Sequence, residues 1–287
     1  QTFRNRIRQA LESSGKIDSA DWNDFGAHLH YRCIDYRDLE TFRKLATELK
    51  SLEQKIDTGG NRLFYVALPP TLYEPVAQNI GLAGLSREHQ DENGWARLVV
   101  EKPFGTDLAS ARALDERIHT HFQENQIFRI DHYLAKETVQ NLLMFRFANS
   151  IFEPIWNRRY IESVSIRSTE TLGVEHRAGY YEQSGVIRDM FQNHMMQLLA
   201  LTAMEPPARF EADTVRDEKV KVFRVLRPFP TESIENYLIL GQYADGKVSG
   251  KQVPAYRSEQ GVDPHSLTPT FAMSVPVHPG ARTGSGA

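Results

Sequence analysis

A chain of 287 residues holding 34 Lys and Arg against 37 Asp and Glu carries a net charge of −3. That length accommodates two domains and a sizeable core, and so weak a net charge gives the whole molecule no electrostatic footprint for nucleic acid or an anionic membrane surface. A single cysteine, Cys33, excludes an internal disulfide and a multi-cysteine zinc site and fits a reducing, cytoplasmic setting.

Thr2 to Ser13 is predicted as a helix, and Leu29 to Cys33 as a short strand. The opening residues lack the apolar core of a signal peptide, and no apolar run approaches the roughly 20 residues of a membrane span. Asp38 to Ile56 is helical, with Leu39, Phe42, Leu45, Leu49 and Leu52 on one stripe. Leu63 to Leu68 is a continuous apolar run, the pattern of a buried parallel strand, and Pro69-Pro70 stops it. A helix to about Asn79 follows. Leu98-Val99-Val100 is the next strand, ended by Glu101-Lys102-Pro103-Phe104-Gly105. Asp107 caps a helix to Phe122, and Ile127 to Ile130 is a third strand. Strand, helix and strand at this spacing predict a parallel α/β sheet. No G-x-G-x-x-G follows an opening strand, so the first strand and its phosphate loop are expected upstream. The chain also lacks an initiator Met, as expected for one that begins part-way through a longer protein.

The second half changes character. Glu162 to Glu170 and Val220 to Leu226 alternate like strands, and Asn236 to Tyr243 is a further candidate. One long helix is predicted from Gly185 to about Met204, after a Ser184 cap. The fold class is thus an incomplete Rossmann-like α/β domain over 1–134, followed by an α+β domain with a large antiparallel sheet over 135–275. Residues 276–287, rich in Gly, Ala and Pro, read as a disordered end.

Chemistry concentrates in Arg129-Ile130-Asp131-His132-Tyr133-Leu134-Ala135-Lys136-Glu137. His132, Tyr133 and Lys136 offer three donors to one anion, while Asp131 is turned to a second site. A solvated helix start is the competing reading, but strand C-terminal ends are where α/β sheets bind ligands. Lys102, also after a strand, would face the same crevice, and a Lys-Pro bond there can be cis. His194 shares an inward stripe with Ile187, Phe191, Leu198 and Leu201. It is either a satisfied core histidine or a general base oriented by a carboxylate. Asp189 lies about 140° round a regular helix from His194, so Asp131 is the better partner. Glu170, on the polar loop after a strand, is placed to accept from sugar hydroxyls or is simply solvated.

Together these segments resemble the glucose-6-phosphate dehydrogenase family. The resemblance comprises Leu68-Pro69-Pro70-Thr71-Leu72-Tyr73, Glu101 to Gly105, Arg129 to Glu137, and Gly179-Tyr180-Tyr181 leading to Arg188-Asp189-Met190-Phe191-Gln192-Asn193-His194. It implies oxidation of glucose 6-phosphate by NADP in the pentose phosphate pathway. It implies His194 as general base with Asp131 behind it, and His132, Tyr133 and Lys136 on the phosphate. Lys102 would touch substrate and coenzyme, Glu170 and Asp189 the sugar hydroxyls, and Tyr73 would lie near the coenzyme. No metal is implied, and such enzymes are usually homodimers or homotetramers. Ala135 replaces a family Gly and His176 a common Glu. The Gly-rich motif and the downstream Arg-Trp and Gly-Lys segments are missing, so the chain alone is expected to be inactive. Two alternatives stand beside this reading: another sugar oxidoreductase with a Glu-Lys-Pro strand end, and a non-catalytic sugar-phosphate-binding remnant or partner subunit.

Overall fold

The computed structural model describes residues 2–15, 19–88 and 94–274, and its chain divides into two compact units, Gln1–Arg129 and Ile130–Ala287. The segment 276–287, expected to be disordered, lies outside the described residues.

In the first unit α1 (Phe3–Ser13), α2 (Ser19–Ala27) and α3 (Leu39–Ile56) precede strand β1 (Arg62–Val66). Then come α4 (Tyr73–Leu82), β2 (Ala96–Val100), α5 (Leu108–His119) and β3 (Ile127–Arg129). The three strands form a parallel sheet in the order β1-β2-β3, with Phe64 opposite Leu98 and Leu98 opposite Ile127. Helical crossovers join them, as parallel neighbours require. Phe42 from α3, Ile80 from α4 and Ile118 from α5 bury against Leu98 and Val100. Leu98 is wholly buried, and removing such a side chain from water contributes about 1.5–3 kcal/mol. The helix starts behave as read. Asp38 accepts the Glu40 N–H, and Asp107 accepts the Ser110 N–H while the Ser110 hydroxyl accepts the Asp107 N–H.

Leu29 to Cys33 is not a strand. It runs as irregular chain, because the Leu29 carbonyl takes the Arg4 Nε–H and Tyr31 stacks on Phe3 instead of entering a ladder.

The second unit is built on α6 (Glu137–Phe147), α7 (Ala178–Val186), a π-helical segment (Ile187–Met195), α8 (Met196–Ala203) and α9 (Ala212–Val225). β4 (Leu238–Gly241), β5 (Gly246–Val248), β6 (Lys251–Val253) and β7 (Phe271–Ser274) follow. They pair antiparallel as β4 with β7 and β5 with β6. Antiparallel strands are therefore present, but among the described residues they form two short pairs and not one large sheet. Val139 of α6, Leu201 of α8, Met204 and Val222 of α9 make the helical core. Arg146 pins the end of α8: its Nη1 and Nη2 donate to the carbonyls of Leu201 (2.5 Å) and Met204 (2.7 Å). Trp156 Nε1 donates to Thr202 beside them.

Three further expectations change. Val220 to Leu226 belongs to α9, because Val215, Val222 and the residues between them repeat at helical spacing over a longer window than the short alternation. Glu162 to Glu170 has no regular secondary structure and joins no ladder among the described residues, and Val164 stays exposed. A separate helical segment begins at Ala178, and the predicted long helix starts after the non-helical Gly185, so Gly185 and not Ser184 holds the cap position. Gly185, at φ 57° and ψ 176°, separates the two, the freed Val186 N–H donates to the Pro269 carbonyl, and the Ser184 hydroxyl donates back to the Tyr180 carbonyl. No described helix is long and apolar enough to cross a membrane.

Candidate active site

The site in the second unit starts from a cap. Asp131 is extended and precedes a 3-10 turn, His132–Ala135, and its Oδ1 accepts the Tyr133 N–H at 3.0 Å. Asp is a favoured residue there because its short carboxylate satisfies a free N–H. The same Oδ1 accepts from His194 Nδ1 at 2.5 Å. A carboxylate can only accept, so Nδ1 of His194 carries a proton, and in the neutral ring Nε2 is then the nitrogen with the lone pair. His194 is wholly buried, and its Nε2 has no partner among the described residues. A satisfied core histidine would have one.

Burial alone would raise the Asp131 carboxyl. The hydrogen bond and charge of His194, then the Tyr133 N–H and His132, outweigh it and hold the carboxyl below its usual range. Tyr133 stacks flat on His194, and His132 meets the same imidazole edge-on with ring centroids 4.5 Å apart.

Beside the dyad lies a cavity of about 460 Å³ whose wall includes Tyr133, Lys136, Thr138, Ser168, Glu170 and Leu198. The Tyr133 hydroxyl lies 2.9 Å from Ser168 Oγ and donates to Glu170 Oε1 at 3.2 Å. Lys136 Nζ sits 3.5 Å from the centre of the Tyr133 ring. Lys136 is also the residue immediately before α6. A cation there opposes the helix dipole and costs stability, yet it joins the unbonded N–H groups of that helix end as an anion site. Ser168 escaped the sequence reading. Its signal was its spacing from Glu170, since residues two apart on an extended segment share a side.

Asp189 is a correction in geometry. In a regular helix it would stand far round from His194, but residues 187–195 are π-helical, with i→i+5 bonding. Residues five apart then fall on successive turns of the same face, and both Asp189 and His194 are buried. The Asp189 carboxylate accepts the Tyr180 hydroxyl at 3.0 Å.

Asp131, His132, Tyr133, Lys136, Glu170, Asp189 and His194 thus lie in one unit. Lys102 and Tyr73 belong to the other, after β2 and β1, at the C-terminal ends of parallel strands. The Lys102–Pro103 bond is cis. Tyr73 is buried, and burial first, then the charge of Glu101, raises its phenol pKa. A nicotinamide dinucleotide fits this edge by its chemistry: the Lys102 ammonium, at the strand end where parallel sheets bind ligands, suits a phosphate or hydroxyl.

Comparison with known proteins gives one family. Residues 1–141 match the glucose-6-phosphate dehydrogenase NAD binding domain, and residues 143–278 its C-terminal domain. The glucose-6-phosphate 1-dehydrogenases of Aggregatibacter actinomycetemcomitans and Bacillus subtilis (strain 168) are each 46% identical over 271 residues, 94% of this chain and 54% of theirs. A solved glucose-6-phosphate dehydrogenase in complex with its substrate glucose-6-phosphate matches at 35% identity and TM-score 0.80, over 95% of this chain and 55% of that one. A glucose-6-phosphate 1-dehydrogenase structure from Mycobacterium avium matches at TM-score 0.75 and 35% identity, over 94% and 54%. The chain spans about half the length of the curated relatives it matches.

Proposed function

Because the chain belongs to the glucose-6-phosphate dehydrogenase family, a family of oxidoreductases, we propose that its second unit carries the base and substrate pocket for oxidising β-D-glucose 6-phosphate to 6-phospho-D-glucono-1,5-lactone. The observation that carries this reading is the lone Nε2 of a buried imidazole whose other nitrogen is held by a carboxylate.

His194 Nε2 takes the proton of the sugar C1 hydroxyl. Asp131 keeps the tautomer that leaves Nε2 basic and stabilises the imidazolium that forms. Tyr133 holds the ring flat and excludes water from one of its faces. Lys136, His132 and the start of α6 bind the phosphate, which is the charge that a lysine at a helix N-terminus lacks. Glu170 and Asp189 accept from sugar hydroxyls and orient C1. The coenzyme is NADP, held through Lys102 with Tyr73 behind it, and when bound it supplies the hydride acceptor.

The test is an assay of NADP reduction by a purified protein in which this chain is joined to the family's Gly-rich coenzyme motif and downstream segments, with glucose 6-phosphate and with glucose. Strong preference for the phosphorylated sugar is expected. Equal rates with both would remove the phosphate clamp and favour a different sugar oxidoreductase.

A further inference from the structure

The polar loop that follows Glu170 is held by a second carboxylate, Glu259. Glu259 Oε2 accepts the Glu175 N–H at 3.1 Å, and its Oε1 accepts the Tyr243 hydroxyl. Gly173 packs so close to Oε1 that a Cβ there would collide with it. Glu175 itself adopts φ 46°, a left-handed backbone that a residue other than glycine keeps only where its surroundings impose it. Val174, between the two, is buried with Ala178, Tyr256 and Val262.

The carboxylate has a firm base. It follows the 3-10 turn Tyr256–Ser258, whose first ring is wholly buried, and the Glu259 N–H donates to the Tyr256 carbonyl at 3.1 Å. Tyr256 is tied in turn through its hydroxyl to Glu182 of α7. The loop that Glu259 grips is short. Glu170 stands three residues before Gly173, within about 11 Å of extended chain. Its carboxylate meets the Tyr133 hydroxyl at 3.2 Å, so the segment is held at both ends. Beyond Glu175, the 3-10 turn Glu175–Arg177 leads into α7, whose Tyr180 donates to Asp189.

We propose that Glu259 is a positioning residue for substrate binding: by holding residues 173–175, with Tyr243 steadying its carboxylate, it sets where Glu170 meets the sugar hydroxyls. The proposal rests on the sugar-phosphate reading of this site. An ionised carboxylate has two acceptor oxygens and makes stronger hydrogen bonds than a neutral acceptor, so one side chain serves both the loop and Tyr243. Its expected effect is on where Glu170 stands, and not on the proton that His194 takes.

The experiment is steady-state kinetics on a protein in which this chain is joined to the family's Gly-rich coenzyme motif and downstream segments. Glu259→Ala should raise KM for glucose 6-phosphate about ten-fold, with kcat and KM for NADP within about two-fold of the unaltered protein. Glu259→Gln keeps an acceptor for the Glu175 N–H and Tyr243→Phe keeps the packing, so each should raise the same KM by only a few-fold. In a Glu170→Gln background, Glu259→Ala should add little, because both changes act on one contact. A merely structural role would lower kcat with the amount of folded protein and leave KM unchanged. That outcome, or full additivity in the double variant, would overturn the inference. Raised KM in Glu170→Gln with unaltered KM in all three variants of Glu259 and Tyr243 would overturn the Glu259 assignment and leave the site reading intact. Unaltered KM in Glu170→Gln would overturn the sugar-hydroxyl reading of Glu170, and this inference with it.

Discussion

The ring of Tyr133 lies parallel to the imidazole of His194, with centroids 4.1 Å apart and planes inclined by 12°. The stack and the Asp131 hydrogen bond together fix both the tilt and the rotation of the imidazole. Tyr133→Phe keeps the stack and loses the bonds to Ser168 and Glu170. It should raise KM for glucose 6-phosphate by about five- to ten-fold and leave kcat nearly unchanged. Tyr133→Leu removes the stack as well and should lower kcat. Steady-state kinetics on both variants, made in a protein completed with the Gly-rich coenzyme motif, check this, and a kcat loss as large in Phe as in Leu would reject the stacking role.

In the protein completed with the Gly-rich coenzyme motif, His194→Asn keeps a polar side chain and removes the base. It should lower kcat by roughly 10²–10⁴-fold with little change in KM, because the lost interaction belongs to proton transfer. Turnover within a few-fold of the unaltered protein would reassign the base.

The Asp131 carboxyl is held below its usual range in the folded protein. The unfolded chain therefore binds this proton more readily, and the pair stabilises the fold fully above about pH 4 and progressively less as pH falls. Urea midpoints measured between neutral and acid pH should drop in the native sequence. The drop should be shallower in Asp131→Asn, which cannot take up that proton. Parallel curves for the two proteins would show that Asp131 does not contribute.

Arg146 is buried, its guanidinium pKa is lowered to about 10 by burial, and it holds two carbonyls at the end of α8. Arg146→Met leaves those carbonyls unpaired and should cost roughly 2–5 kcal/mol in stability. Denaturant unfolding measures it, and a neutral effect would mean that α8 ends without this clamp.

Tyr180 has its phenol pKa pushed up to about 12, first by burial and then by the charge and hydrogen bond of Asp189. A raised folded pKa means the unfolded state ionises first, so stability is full below pH 10 and falls as pH rises towards about 12. Tyr180→Phe should flatten that alkaline loss in a denaturation series, and an unchanged slope would refute the assignment.

Much of this protein is written in local pattern. The apolar run Leu63–Leu68, the stops at Pro69 and Pro103, and the cap Asp107 act through neighbours a few residues away, so they could be read directly. The cluster from Asp131 to Lys136 also declared its residue types, and the stripe through His194 declared its inward face. What escaped depended on longer-range partners. Leu29–Cys33 and Glu162–Glu170 have strand-like composition, but a strand exists only where another supplies its ladder bonds. Val220–Leu226 was too short a window to separate a period of 2 from one of 3.6 residues.

Sequence by itself determined the α/β character of the first unit, the family resemblance and the set of polar residues that could act. Tertiary structure decided how the residues of the second unit work together. Only folding brings His194 within a hydrogen bond of Asp131, 63 positions away in the chain, and leaves its Nε2 without a partner among the described residues. Only the π-helix aligns Asp189 with His194, because its wider turn changes which residues share a face. Proton transfer depends on distance, burial and tautomer, and those are properties of packing that residue spacing does not encode.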